Sequence, residues 1–194
     1  MVATRNTRAD VVEAAGRLFA ERGYHGTSMR DLGKELGLLG SSLYAHVNSK
    51  QDLLVAVVEE GAALFEASAE RALAKKGDAA DRMAALISGH VDVVLENLDV
   101  ARTFLNEARM LDKDYRSRIV EARDHYEKAF RRVIRQGVVD GSFRADVDAK
   151  TSSIFILSVL NAVERWYNPR GALSRAQLVD ELNAFTLSSL SLRT

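Results

Sequence analysis

The scarcity of helix-breaking residues constrains the fold of this chain more than any other feature of its sequence. Proline occurs once in 194 residues, at position 169, whereas Ala, Leu, Glu and Arg are abundant. A proline inside a helix removes a hydrogen bond and clashes with the preceding turn, so a chain that almost lacks proline is free to form long helices. Strands have little support in the pattern of apolar residues. We therefore expect an all-α protein.

Apolar residues recur at helical spacing along the chain. In the first segment Val11, Ala15, Leu18 and Phe19 fall on one face, and Gly23 follows as a residue type that commonly ends a helix. Helices are predicted over residues 8–22, 29–36, 40–47, 50–74, 79–97, 100–110, 113–137, 148–167 and 174–190. Loops are predicted over residues 137–147 and 168–174.

The composition and the motifs argue against an enzyme. The chain has no cysteine, which excludes disulfide scaffolds, thiolate zinc sites and cysteine nucleophiles. It has no HExxH, no GxSxG and no glycine-rich phosphate loop, and none of its four histidines has Glu three residues before it, as di-iron helical bundles require. The lone helical histidines His90 and His125 are interpreted as core or surface residues. We expect no catalytic residue, no metal ion and no cofactor.

Three further features concern the location and the partners of the protein. The longest apolar stretch, residues 154–160, is far shorter than the roughly 20 residues that span a bilayer. The N-terminal residues lead into an amphipathic segment rather than a continuously apolar one, so no signal peptide is predicted. Net charge is zero, and residues 1–50 carry seven basic and five acidic side chains, an excess that does not by itself indicate binding to phosphate. We expect a cytoplasmic protein without a membrane partner.

Residues 27–54, TSMRDLGKELGLLGSSLYAHVNSKQDLL, contain two short helices joined by a turn that holds Gly37. Ser28 and Asp31 have the spacing of a capping box at the start of the first helix. Gly33, in the middle of that helix, predicts a close approach by another helix. The arrangement matches a helix-turn-helix, whose second helix enters the major groove of DNA. A plain helical hairpin with a polar surface has the same spacing.

The second of these helices divides into an inner and an outer face. Leu43 and Val47 lie on the inner face. The outer face or its edge then carries hydroxyl and imidazole groups, which form hydrogen bonds to phosphates and base edges. These groups belong to Ser41, Ser42, Tyr44 and His46, and Lys50 follows at the start of the next helix.

Two segments of this region, AAGRLFAERGYHGTSMRDLGKELGL and SSLYAHVNSKQDLL, resemble the TetR family of transcriptional regulators. The match runs in one register over about the first 55 residues. The matching positions are Phe19, Gly23, Tyr24, Thr27, Met29, Arg30, Asp31, Leu43, Tyr44, His46, Ser49, Lys50 and Leu53. The chain departs from the family pattern at Gly33, where Ala is usual, at Leu39, where a capping Ser is usual, and at Gly40, where a longer polar residue often reaches a base.

The resemblance implies an N-terminal three-helix helix-turn-helix domain over residues 1–50. It also implies a C-terminal helical bundle over 51–194 that binds a ligand and dimerises. Side chains of the second short helix would contact DNA, and the start of the first would hold a phosphate. The predicted DNA-binding residues are Thr27, Ser28, Ser41, Ser42, Tyr44, His46 and Lys50.

A second resemblance lies further along the chain. RTFLNEARML at 102–111 and LNAVERWYNPRGALS at 160–174 look like the branch of the family that controls lipid or steroid catabolism and senses acyl-CoA thioesters. The arginines could meet CoA phosphates, and the tryptophan could stack on the adenine. The predicted ligand-binding residues are Arg102, Arg109, Asn161, Arg165, Trp166 and Arg170. The alternatives are that Trp166 packs into the helical bundle and that Arg165 and Arg170 interact with a helix C-terminus.

The resemblance implies a repressor that binds a palindromic double-stranded operator as a homodimer and is released by a small molecule. Residues 154–160 and 184–192 are apolar on more than one side, which favours contact with a partner chain, although a central buried helix would show the same pattern. Two other functions stay open: a multidrug or antibiotic sensor that controls an efflux pump, and a regulator that no longer responds to a ligand.

Overall fold

The computed structural model describes residues 7–191, without the side chains of residues 40 and 41. Over these residues it is helical and contains no strand, which confirms the all-α prediction. The helices are α1 (Arg8–Arg22), α2 (Met29–Leu36), α3 (Gly40–Leu43), α4 (Lys50–Leu73), α5 (Ala79–Glu96), α6 (Leu98–Arg102), α7 (Lys113–Asp140), α8 (Ala149–Trp166) and α9 (Arg175–Leu190). A π-helical turn over Thr103–Glu107 and a 3-10 turn over Ala108–Met110 follow α6. No helix within the described part is both long and apolar enough to cross a membrane.

Local sequence sets the ends of α1. The hydroxyl of Thr7 accepts a hydrogen bond from the Asp10 N–H (3.3 Å), and the Asp10 carboxylate accepts one from the Thr7 N–H (2.6 Å). The helix ends at Gly23, whose φ of 74° lies in the region that favours glycine. The bounds predicted from the apolar spacing and from Gly23, residues 8–22, agree with the structure.

The predicted helix over residues 40–47 is shorter in the structure. Only the single turn α3 is α-helical, and the N–H groups of Ala45 and His46 then donate to carbonyls three residues back. Leu43 and Val47 are nevertheless 0% and 6% exposed. The tighter turns therefore keep the predicted inner face while they end the helix.

Two other predicted boundaries differ. The helix predicted over 100–110 is divided among α6, the π turn and the 3-10 turn. Helix α7 continues to Asp140, although a loop was expected from residue 137. Gly137 lies within this helix and makes room for Phe143, because a Cβ there would overlap the Phe143 ring, and the Phe143 N–H donates to the Gly137 carbonyl (2.8 Å). The glycine serves a packing contact and does not end the helix.

The chain forms two compact units. The first comprises residues up to Ala63 together with Asn97–Val120, and the second comprises Leu64–Glu96 and the residues from Glu121 onward. The core of the first unit includes Leu18, Phe19, Leu32, Leu43, Leu53, Leu54, Val57 and Phe104. The core of the second includes Phe65, Met83, Leu86, Ile87, Phe130, Ile134, Phe143, Leu160 and Leu178.

The first unit extends past the boundary expected at residue 50. It includes the first part of α4 and the whole segment from α6 to the start of α7. Helix α1 packs against α6 and the π turn in this unit. A segment that returns from later in the chain leaves no local signal, so the sequence pattern did not predict it.

Candidate DNA-binding surface and effector residues

Helix α2 begins at an exposed capping residue, as the sequence predicts. Ser28 accepts a hydrogen bond from the Asp31 N–H (3.1 Å), and the Asp31 carboxylate accepts one from the Ser28 N–H (2.9 Å). Hydrogen bonds from the Ser28 hydroxyl and N–H hold the pKa of Asp31 below its ordinary value. The carboxylate thus occupies the helix start, where an anion is favoured. In this structure Ser28 is the N-cap of α2.

Helix α3 and the tight turns after it present polar side chains outward from an apolar base. Leu43 and Val47 anchor them in the core of the first unit, while Ser42 is exposed and Tyr44 is 54% exposed. The placement of these four residues agrees with the predicted faces. The side chain of Ser41 lies outside the described part of the chain.

His46 lies half-buried at the edge of this surface. It borders a small cavity of about 260 Å³ on the first unit. The charged and polar residues around this cavity are Arg8, His46, Asn48, Asp52, Glu59 and Tyr115. Because carboxylates and a cation share its rim, the cavity gives no single preference for phosphate.

Thr27 is placed differently from the prediction. Its side chain is buried, at 2% exposed, and its hydroxyl donates to the carbonyls of Leu18 (3.1 Å) and Gly23 (3.0 Å). A phosphate would find no accessible hydroxyl there. Thr27 instead fixes the turn between α1 and α2 against the end of α1.

Lys50 is also engaged inside the first unit. Its ammonium nitrogen donates to the carbonyls of Tyr24 (2.9 Å) and Thr27 (2.8 Å), and it lies 4.1 Å from the centre of the Tyr24 ring. A cation over an aromatic face is attracted by the ring quadrupole. The side chain that the sequence assigns to DNA therefore holds the turn between α1 and α2 in this structure.

The six predicted effector residues divide between the two units. Arg102 ends α6 and Arg109 lies in the 3-10 turn, so both belong to the first unit. The other four belong to the end of α8 and the loop after it, in the second unit. There Asn161 is half-buried, Trp166 is 54% exposed, and Arg165 and Arg170 are exposed.

The sequence did not predict the π turn or its contacts. Thr103 is fully buried, and its hydroxyl donates to the Gly16 carbonyl in α1 (3.3 Å). At the other end of the turn, the Glu107 carboxylate accepts a hydrogen bond from the Tyr24 N–H (3.1 Å). A π turn inserts one extra residue into a helix, and the residues that form it are ordinary helix residues. No signal in the sequence could therefore have located it.

The second unit contains an aromatic cluster around His90. The imidazole is 1% exposed, its ring centre lies 4.9 Å from that of Phe65, and its Nδ1 is 3.1 Å from the Tyr126 hydroxyl. Burial lowers the pKa of His90 to about 3, and the Leu160 backbone counteracts part of this effect. His90 is therefore a neutral core residue, which is one of the two placements that the sequence left open, and the cluster offers hydrogen-bonding atoms in an apolar interior.

Helices α8 and α9 present large apolar side chains to the outside of the second unit. Ile154, Phe155 and Val159 on α8 are 44%, 65% and 36% exposed, and Phe185 on α9 is 59% exposed. A groove of about 560 Å³ runs between the two helices and is lined in part by Phe155, Val159 and Phe185. Exposed apolar side chains from both helices therefore lie along this groove.

Known proteins resemble the chain along most of its length. Residues 11–57 match "Bacterial regulatory proteins, tetR family", and residues 76–190 match "Tetracyclin repressor-like, C-terminal domain". The HTH-type transcriptional repressor KstR2 of Mycolicibacterium smegmatis is 26% identical over 185 residues, which cover 95% of this chain and 90% of that protein.

Solved structures agree with these matches. The ketosteroid transcriptional regulator KstR2 of Mycobacterium tuberculosis superposes with a TM-score of 0.90 at 25% identity, over 100% of this chain and 98% of that one. The structure of AibR with isovaleryl coenzyme A and operator DNA has a TM-score of 0.85 at 24% identity, over 92% and 96% of the two chains. The second likeness is one of fold.

Proposed function

Because the chain belongs to the TetR family of bacterial transcriptional regulators, we propose that it binds a palindromic operator as a homodimer and is released by an acyl-CoA thioester from lipid or steroid catabolism. It is a DNA-binding transcriptional repressor and not an enzyme. The observation that carries the finer proposal is the similarity to KstR2, a ketosteroid transcriptional regulator, over 95% of this chain.

In the proposed complex α3 enters the major groove. Ser42 on α3 and Tyr44 directly after it are exposed, and their hydroxyl groups would reach phosphates and base edges. We assign DNA contacts to these two residues, to Ser41 and to His46 at the edge. Thr27 and Lys50, whose polar atoms bind protein carbonyls, would support the surface from behind.

The exposed apolar face of α8 and α9 supports the proposed homodimer. Phe155, Val159 and Phe185 leave a groove that a second copy of the same two helices would fill. A twofold dimer buries the same patch on both subunits, and about 800 Å² on each side is typical of a stable interface. Two recognition helices would then meet half-sites about 34 to 36 Å apart.

The end of α8 supports an anionic, partly aromatic effector. Arg165 precedes and Arg170 follows Trp166 in the chain, and the indole and both arginines are exposed. Guanidinium groups bind phosphates bidentately, and an indole stacks on a nucleobase. These groups would suit the nucleotide part of coenzyme A. Asn161 lies one turn before Arg165 on α8.

The test begins with selection of duplexes from a random-sequence pool by the purified protein. The selected duplex is then titrated with acyl-CoA and steroid-CoA thioesters, with the matching free acids and with coenzyme A alone, at a stated salt concentration. Release by a thioester, but not by its acid or by coenzyme A, is the expected result. A typical coupling of about 1 to 3 kcal/mol weakens operator binding around 5- to 150-fold.

Other outcomes would redirect the proposal. If cationic drugs release the duplex and no thioester does, the protein is a drug sensor and the assignment of the arginines is wrong. If no compound changes operator binding, a repressor without ligand response is favoured. If the pool yields no enriched duplex, DNA binding by α3 is contradicted.

A further inference from the structure

The π turn Thr103–Glu107 is held tightly within the first unit. The Thr103 hydroxyl binds the Gly16 carbonyl of α1, and Phe104, 6% exposed, lies against Gly61 of α4, where an added Cβ would come within 2.7 Å of the Phe104 Cβ. π turns are rare and are frequent at functional sites. The packing on both helices stabilises this register, so the position of Glu107 is set by contacts with α1 and α4.

The last residue of the π turn is hydrogen-bonded to the turn that joins α1 and α2. The Glu107 carboxylate accepts the Tyr24 N–H, 3.1 Å away, and Glu107 is half-buried. Tyr24 follows Gly23, the residue that ends α1, and so it begins the turn that leads to α2. A hydrogen bond to a charged group is stronger than one between neutral groups.

The turn that Glu107 holds also fixes α4. The Tyr24 carbonyl accepts from Lys50, and the Tyr24 hydroxyl donates to the Gln51 side chain (2.9 Å). The same turn leads directly to Ser28, the cap of α2. Glu107 thus contacts the turn at which α1, α2 and α4 are joined. A change in this turn would change the direction of α2 and α3.

We propose that Glu107 is a positioning residue for DNA binding, which links the π turn to the α1–α2 turn through the Tyr24 N–H. This inference deepens the proposed function and rests on its DNA-binding part. Arg102 and Arg109 stand on either side of the π turn. A change of register by one residue rotates a helical side chain by about 100°, which would take the Glu107 carboxylate away from Tyr24 and loosen the turn.

The experiment compares Glu107→Ala, Glu107→Gln and the control Glu60→Ala. Glu60 is an exposed residue of α4 in the same unit, and its substitution removes the same charge. Gln keeps an oxygen that can accept from the Tyr24 N–H, whereas Ala has none. Two quantities are measured: amide hydrogen exchange at Tyr24 in the free protein, and affinity for the duplex that the wild-type protein selects.

Glu107→Ala is expected to speed exchange of the Tyr24 amide and to weaken duplex binding by about tenfold. Glu107→Gln should stay within about threefold of the wild type in both measurements, and Glu60→Ala should match the wild type. Wild-type duplex affinity for Glu107→Ala, or equal losses for Ala and Gln, would overturn the proposal.

The measurements separate this proposal from the proposed function. If the wild-type protein selects no duplex, the DNA-binding function itself has failed, whatever the exchange results. If it selects a duplex and exchange at Tyr24 is fast in the wild-type protein, the positioning bond is absent. That result needs no variant, so it overturns the inference even if Glu107→Ala does not fold.

Discussion

The imidazole Nδ1 of His90 lies 3.1 Å from the hydroxyl oxygen of Tyr126, in a position where His90 is 1% exposed. Phe65 and Phe130 complete the aromatic cluster, with ring centres 5.4 Å from that of Tyr126. Protonation of His90 would place an uncompensated charge among these rings. The pKa of His90 is therefore lowered from 6.5 to about 3 by burial, and the protein holds it neutral.

This pKa makes stability depend on pH. Between pH 6.5 and about 3 the unfolded chain binds a proton at His90 that the folded chain does not, so acid favours unfolding. Each pH unit below about 6.5 costs up to about 1.4 kcal/mol. Urea unfolding between pH 7.5 and 5 should show a free energy of unfolding that is flat above about pH 6.5 and falls below it.

The matched variants are His90→Leu and His125→Leu. His125 is exposed, so His125→Leu removes an imidazole from the surface and serves as the control. His90→Leu should lower stability at pH 7.5, because Tyr126 loses its partner, and should flatten the slope below pH 6.5. A slope that survives in His90→Leu would mean that another group is responsible.

The exposed hydroxyl of Tyr44 gives the second prediction. Tyr44→Phe should weaken operator binding by about fivefold, since a hydrogen bond contributes about 1 kcal/mol. The fold should be unaffected, because the side chain is 54% exposed. Fluorescence anisotropy gives the affinity and thermal unfolding checks the fold. Equal affinity for Tyr44→Phe and wild type would remove the hydroxyl from the DNA contacts.

Lys50 gives a prediction that separates its two possible roles. Lys50→Met removes two hydrogen bonds to the α1–α2 turn and should lower thermal stability. If the ammonium contacts no phosphate, the slope of log affinity against log salt should stay the same, whereas a lost phosphate contact would reduce it by about one. A reduced slope with unchanged stability would restore the role that the sequence assigned to Lys50.

Local signals in the sequence predicted much of the fold. The capping box at Ser28, the terminal Gly23 and the apolar period of α1 depend on near neighbours, and the structure reproduces each of them. Contacts over longer distances were not predicted. Gly33 was expected to admit another helix, but the group close to it is the carbonyl of Leu38 in the following turn.

In the candidate site too, local features were predicted and long-range contacts were not. The inner and outer faces of α3 and the turns after it follow from a four-residue spacing, so the burial of Leu43 and the exposure of Tyr44 were predicted correctly. The burial of Thr27 and the bonds of Lys50 depend on a turn packed against α1, and Glu107 reaches Tyr24 across 83 positions of sequence. A polar residue in a matching motif is the same residue type whether its side chain faces solvent or binds a backbone carbonyl. The sequence could therefore not distinguish these two placements.

The apolar face of α8 and α9 predicts a matched pair of variants. Val159→Glu should dissociate the proposed dimer and abolish operator binding, because a charge would be buried in the groove. Val139→Glu adds the same charge at the end of α7, where the side chain is 87% exposed, and should leave the dimer intact. Sedimentation measures the oligomeric state. A monomeric wild-type protein, or a dimeric Val159→Glu, would contradict the assignment of this face.

The last prediction concerns Arg170, whose side chain is exposed in the loop after α8 and whose N–H donates to the Asn168 side chain (3.0 Å). Arg170→Ala should leave operator affinity unchanged and raise the thioester concentration needed for half-release by about tenfold, because a charge-assisted bond to phosphate is lost. Arg135→Ala, an exposed arginine of α7, is the control. The comparison must use a thioester that releases the wild-type protein, and the matching dephospho-CoA ester locates the contact. If Arg170 binds the 3′-phosphate, the variant and the wild type should respond equally to the dephospho ester. A variant that responds like the wild type to both esters would return Arg170 to a role at the end of the helix.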